Sequence, residues 1–172
     1  KDTYLLEYED PDNHGSFYSV NGNLYRGGIE EENHALEINR IDLTTGKIAR
    51  QLKLSIDNYD DYEDWRVAVD RDAIYIAAVN KDSHVVNLWR LSWTDFEDAN
   101  TVNFWNSGLV CTQPLADKRD SLQGIDAYEG YVVMDLFCWG EATLILYDHN
   151  TGSTTNIHPG IDAKHKLGLE GS

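Results

Sequence analysis

The stretch FYSVNGNLY at residues 17–25 returns as VAVDRDAIY at 67–75 and again as IDAYEGYVV at 125–133. Each copy alternates apolar and polar residues, turns through a polar step and alternates again, which is two strands joined by a hairpin. A second segment travels with the first. INRIDLTTG at 38–46 is answered by LWRLSWTD at 88–95 and LILYDHNTG at 144–152. Taking Leu24, Ile74 and Tyr131 as equivalent gives offsets of 50 and 57, and Ile41, Leu91 and Tyr147 give 50 and 56. Two landmarks agree to within one residue, so the chain is built on an internal repeat, and the repeat decides the fold.

Period-two alternation, β-branched and aromatic residues, and the turn pairs Asn21-Gly22, Glu129-Gly130 and Thr45-Gly46 predict strands throughout. The best helical candidate, residues 93–100, is short and acidic and lacks an apolar stripe, so it reads as a loop with one helical turn. Gly27-Gly28, lying within a strand context, reads as a bulge rather than a phosphate loop. About four strands in a period of about 50 residues describe a propeller blade. The expectation is one all-β domain over residues 1–172, with four-stranded antiparallel blades at 17–54, 66–107 and 124–158. A β-sandwich or barrel of the same strands is the alternative.

Asn21-Gly22-Asn23-Leu24-Tyr25, followed by Ile41-Asp42-Leu43-Thr44-Thr45-Gly46-Lys47 and repeated as Tyr147-Asp148-His149-Asn150-Thr151-Gly152, resembles the blades of quinoprotein-like and TolB-like β-propellers. The resemblance covers most of the chain. It implies a fold and no activity, because propellers carry unrelated functions. Blade two departs from the pattern with Ser92-Trp93-Thr94-Asp95 in place of the Asp-x-x-Thr-Gly turn. Known propellers close with about four to eight blades, so three imply a piece of a longer chain, a half-ring paired with a second copy, or an open arc. An oligomer, or part of a longer chain, is therefore expected. The alternating residues Tyr4 to Glu9 fit an outer strand or the cover of a sheet edge.

Thirty acidic residues against 14 basic ones give a net charge of −16, a field that repels nucleic acid and anionic lipid. No apolar run has the length of a membrane helix, and the first residues lack the pattern of a signal peptide, so membrane insertion is not expected. Cys111 and Cys138 stand 27 positions apart without a CxxC, which leaves one disulfide or two free thiols open. A secreted, periplasmic or extracellular location is the expectation that goes with these features.

The acids concentrate early, with 15 of them against 6 bases up to residue 64. In a propeller the turns at Glu30 to His34, Lys81 to His84 and Trp139 to Glu141 share one face with the blade-to-blade loop Asp57 to Trp65. That loop combines Asp57, Asp60, Asp61 and Asp64 with Tyr59, Tyr62 and Trp65, and Glu31 and Glu32 add to the same face. Carboxylates beside flat aromatic faces suit a protein or glycan partner. Oxygen donors also suit Ca²⁺, although the central glycine and terminal glutamate of an EF-hand loop are missing. The solvated acidic loop is the bland reading of the same residues. His34 and His84 lie one repeat apart and, with Glu141, compose a two-histidine, one-carboxylate set; turns diverging from an axis favour ordinary turn histidines instead. No nucleophile motif or phosphate loop occurs, so no catalytic residue is assigned. The sequence reads as a non-enzymatic binding module without a cofactor. The rival is a fragment of a propeller hydrolase or lyase completed by further blades.

Overall fold

The computed structural model describes residues 16–30, 32–56, 58–97, 104–118, 120–138 and 141–157. They form two compact units, Lys1–Asp57 and Asn58–Ser172. Three separate four-stranded antiparallel sheets hold the strands in simple up-and-down order, the topology of propeller blades and not of a closed barrel. The residues 4–9 named above lie outside the described set.

Blade one, in the first unit, runs β1 (Ser16–Val20), β2 (Asn23–Glu30), β3 (Ala35–Ile41) and β4 (Ile48–Ser55). Its first hairpin is closed by Asn21 and Gly22 with φ of 49° and 75°, the left-handed pair that the twist of adjoining strands requires. Gly27 and Gly28 pair in unbroken register with Ile38 and Glu37, so the expected bulge is absent. The ladder bonds that they make outweigh the conformational freedom of glycine. The irregularity falls on β4 instead, where Arg40 opposes Arg50 and Ile41 opposes Ile48.

The second unit holds two blades. Blade two comprises β5 (Tyr62–Val69), β6 (Ala73–Asn80), β7 (Val85–Ser92) and β8 (Leu109–Pro114). Blade three comprises β9 (Ser121–Tyr128), β10 (Tyr131–Cys138), β11 (Glu141–Asp148) and β12 (Ser153–Ile157). The strands extend past the limits read from the repeat, except at the end of blade three, where β12 stops at Ile157. β5 begins inside the acidic stretch, and β8 comes after two short helices, α1 (Trp93–Glu97) and α2 (Phe104–Ser107). Blade two lacks the Asp-x-x-Thr-Gly turn for a local reason: the Ser92 hydroxyl accepts from the Asp95 N–H at 3.1 Å and bonds the Asp95 carboxylate at 2.6 Å, an N-cap that starts a helix. In the other two blades the Asp42 and Asp148 carboxylates accept from backbone N–H groups two residues on, and Gly46 and Gly152 close the turns at φ of 68° and 69°.

Blades two and three share a core. Tyr75, Ala77 and Leu88 from one sheet pack with Val132, Met134, Leu136 and Ile145 from the other. The first hairpins also correct the alignment: Asn23, Ala73 and Tyr131 each close a turn, so the partner of Leu24 and Ile74 is Val132 and not Tyr131. The slip matters because one residue reverses the face of a strand. Val132 is buried, whereas Tyr131 is 46% exposed.

Polar bonds fix the two sheets at both ends of β5. At one end Asp64 Oδ2 accepts from Leu122 N at 3.1 Å while Arg66 Nε donates to the Gln123 carbonyl at 2.9 Å. At the other, buried Asp70 accepts from Gly130 N at 2.7 Å and from Arg71 N at 2.6 Å. Asp70→Ala leaves the Gly130 N–H without its charged acceptor, and a loss of about 1.5–3 kcal/mol is expected. Urea unfolding should show a lower midpoint with an unchanged slope. An unchanged midpoint would mean that the bond between the sheets contributes nothing.

Asp135 lies on the other face of β10, where burial pushes its carboxyl above the ordinary range and Oδ1 has no hydrogen-bond partner. A folded-state pKa above the unfolded value gives stability that is complete at low pH and is lost as pH rises through the folded value. Asp135→Asn is therefore expected to raise the melting temperature at neutral pH and to leave it unchanged below about pH 3. Equal shifts at both pH values would contradict this account.

Candidate functional site

The acidic stretch folds into two parts with different duties. Asn58, in the left-handed region at φ 81°, opens a 3-10 turn over Tyr59–Asp61, and Asp61 N donates back to the Asn58 carbonyl at 3.0 Å. Tyr62 then starts β5. The turn is tied to the β6–β7 turn by two bonds from one lysine: Lys81 N donates to the Asp61 carbonyl and Lys81 Nζ to the Asp60 carbonyl, each at 2.9 Å. That second turn is held in its own right, since Asn80 Oδ1 accepts from Ser83 N and from its hydroxyl. The side chains of Asp60, Asp61, Glu63 and Asp82 are exposed around this junction. The Lys81 ammonium is thus bonded to a backbone carbonyl, while the adjacent carboxylates face water.

Beneath the turn lies an aromatic column. Tyr59 stacks on Trp65 with centroids 5.7 Å apart and planes 6° from parallel, and Trp65 stacks on Trp89 at 5.7 Å and 20°. Tyr62 and Trp105 pack against both indoles at centroid distances between 5.4 and 5.9 Å. Trp89 donates Nε1–H to the Trp105 carbonyl at 3.0 Å, while Asn87 binds the Tyr62 hydroxyl at 3.1 Å and accepts from Thr112 at 2.7 Å. Trp65 reaches the column because β5 bulges between Glu63 and Arg66, with Asp64 at φ 55°.

The residues singled out from the sequence thus separate. Tyr59, Asp60, Asp61, Tyr62 and Trp65 come together, with Asp60 and Asp61 exposed at the tip and Trp65 stacked within the column. Asp64 accepts from blade three's backbone. Glu32 is exposed on the β2–β3 turn of the first unit, where neighbouring Glu30 pairs with Lys53 and accepts from Asn33 at 2.6 Å; both contacts hold the Glu30 carboxyl below its ordinary range. Asp57 and Glu31 lie outside the described residues. Trp89 and Trp105 belong to the site and were not assigned to it from sequence, whereas Asp82 was placed on the same face with its turn without being singled out as a binding residue. The tryptophans read as core from sequence, and the single acid of the β6–β7 turn carries little signal beside the run at 57–64.

His34 and His84 take φ of 48° and 51° at the ends of matching turns. Their one-repeat spacing thus reflects a shared turn shape. Among the described residues no three His, Cys, Asp or Glu side chains converge as a metal would require, and the Glu141 side chain lies outside them. Cys111 is a buried free thiol, and burial raises its pKa.

No family model matches the chain, and neither does any curated protein. Among solved structures it is similar to the crystal structure of the Myceliophteria thermophila Cps50 (Swd1) beta-propeller domain, with 13% identity and a TM-score of 0.42 over 84% of this chain. The match spans 43% of that chain, less than half its length.

Replacing Trp65 removes the middle of the column. Trp65→Ala is expected to cost about 3–5 kcal/mol, as truncation of packed aromatics does, and to erase much of the near-ultraviolet circular dichroism. Asp60→Asn and Asp61→Asn should each change stability by less than about 0.5 kcal/mol. A large loss from either would show that the tip carboxylates have a structural duty.

Proposed function

We propose that the chain is a non-enzymatic interaction module that presents the Tyr59–Asp61 turn and Asp82 to a cationic segment of a protein partner. The observation that carries the reading is the junction at Lys81. Two turns are bonded through that residue into one rigid tip, yet its ammonium goes to a backbone carbonyl and the surrounding carboxylates remain exposed. Exposed carboxylates that outnumber the one lysine among them, held on a bonded support, favour fast, oriented encounter with a cationic segment. A peptide is preferred to a glycan because Trp65 is already stacked with Tyr59 and with Trp89, which takes up the indole surface that a sugar would use. The Asp42 and Asp148 turns support assigning the blades to the quinoprotein-like and TolB-like type.

The test uses a lysine-rich peptide as probe, with association rates measured from about 50 to about 500 mM salt, where the Debye length falls from more than 10 Å to about 4 Å. The parent should associate markedly faster at low salt. The triple variant Asp60→Asn, Asp61→Asn, Asp82→Asn should be slower with a flatter salt slope, while its melting temperature stays the same. Equal rates and slopes for both proteins would remove the reading. A melting temperature that rises with Ca²⁺ in the parent alone would assign the tip to a cation instead.

A further inference from the structure

The two faces of blade three differ in what covers them. Val132, Met134, Leu136 and Ile145 lie in the core shared with blade two. The opposite face is laid out in rows by the register of the four strands. Val133 stands between Asp126 and Leu146, and the next row runs Gly124, Asp135, Leu144, Ile157. Tyr131, Val133 and Ile157 are 46%, 36% and 43% exposed.

The row that ends on Ile157 holds an open gap beside a charge. Asp135 Oδ1 has no hydrogen-bond partner among the described residues, and at its cross-strand neighbour Gly124 nothing lies within 4 Å of where a Cβ would stand. Asp126, exposed, adds a second carboxylate one row away. A segment that covers this face needs apolar side chains for the strip and a cation for the gap, because a carboxylate loses water when it is covered.

The sequence that follows β12 has that composition. Residues 161–169 read IDAKHKLGL, with Ile161, Ala163, Leu167 and Leu169 at alternate positions and Lys164, His165 and Lys166 at the centre. Residues 163–169 hold no acid, in a chain with 30 acids against 14 bases. Pro159-Gly160, just before them, is a turn pair. The reach also fits. Ile157 lies two strands from Asp135 in one row, about 10 Å at the usual strand spacing. The four steps from 161 to 165 extend about 13 Å, so a chain that reverses at 159–160 brings its basic centre above β10. A tether of three residues keeps it near the face at an effective concentration in the millimolar range, so weak contacts suffice.

We propose that residues 161–169 dock across this face of blade three as a strap, with their apolar positions on Val133, Leu144 and Leu146 and their basic centre at Asp126 and Asp135. The strap removes from water an apolar strip on which other chains could associate. Its lysines return to water when it lifts off, so the sheet keeps its fold without it, and melting temperature is not the readout of docking.

Amide hydrogen exchange of the 172-residue chain, followed peptide by peptide in a mass spectrometer, tests this. Residues 161–169 should exchange at least about tenfold more slowly than the same sequence as a free peptide, and equally so at every protein concentration. Val133→Lys, which sets a cation in the strip, should remove most of that protection. So should the double variant Lys164→Glu, Lys166→Glu, which reverses the charge of the strap; its substitutions lie beyond β12, and it decides alone if Val133→Lys fails to fold by circular dichroism. Exchange in the parent equal to that of the free peptide, or protection that either folded variant keeps, overturns the proposal. Protection that appears only as concentration rises also overturns it, because the face would then belong to a second copy. The triple Asp→Asn variant of the acidic tip should keep the protection in full. Its loss there would place the basic segment on the tip and remove it from blade three.

Discussion

Two carboxylates, Asp64 on β5 and Asp70 just past its end, accept from backbone N–H groups of the following sheet, and the arrangement of the second unit depends on them. An apolar core excludes water but has no direction, so packing between Tyr75, Leu88, Met134 and Leu136 alone would tolerate one sheet sliding over the other. A charge-assisted hydrogen bond tolerates far less. With one bond near each end of β5, the pair sets both the position and the angle of β9 against it. Asp70 does more, because its own carbonyl accepts the Trp93 indole N–H at 3.1 Å and so ties α1 to the same corner.

The tip is held by the same economy of means from the other side of blade two. Asn87 satisfies its amide by bonding the Tyr62 hydroxyl and the Thr112 hydroxyl, which locks the first and last strands of the blade to the third. The column above it then stacks against a fixed base. A turn resting on Tyr59 and Trp65 loses little freedom when a partner binds, since its side chains are already ordered. The rigidity of the tip thus comes from aromatic packing, and its charge comes from residues that the packing leaves outside.

The repeat, the strands and the Asp-x-x-Thr-Gly turns were legible in the sequence because each depends on neighbours within a few residues. Ser92 shows the same rule in reverse, since its cap was visible only as a departure from the turn pattern. The link from Asp70 to Gly130 could not be read, because its two ends are 60 residues apart and an aspartate before a turn has an obvious local use. Gly27 and Gly28 misled for a related reason: glycine permits a bulge, but the ladder on both sides decides whether one forms. The one-residue error at Tyr131 arose because Tyr131 and Val132 are both strand-forming apolar residues, and alternation cannot reveal a slip that moves one apolar residue onto another. Of the candidate site, the acids at the tip were legible as a charge run. The division of that run into Asp60 and Asp61 outside and Asp64 bonded within was not, since it follows from the bulge on β5.

A net charge of −16 therefore hides several separate uses of the carboxylate. Asp42 is held below its ordinary range by the N–H groups of Thr44 and Thr45; at Asp148, burial pushes the other way and the Thr151 hydroxyl and the backbone N–H groups outweigh it. These acids shape turns. Asp64 and Asp70 join sheets, and Glu30 meets Lys53. Each has a donor close enough to substitute for water, so each adds order more than it adds field. Asp60, Asp61 and Asp82 differ in being exposed at a junction whose lysine is bonded to a carbonyl. Their charge acts outward, over about a Debye length, and it does so from a fixed position. Counting acids along the sequence locates the densest charge, whereas the hydrogen bonds identify the part of it that is available to another molecule.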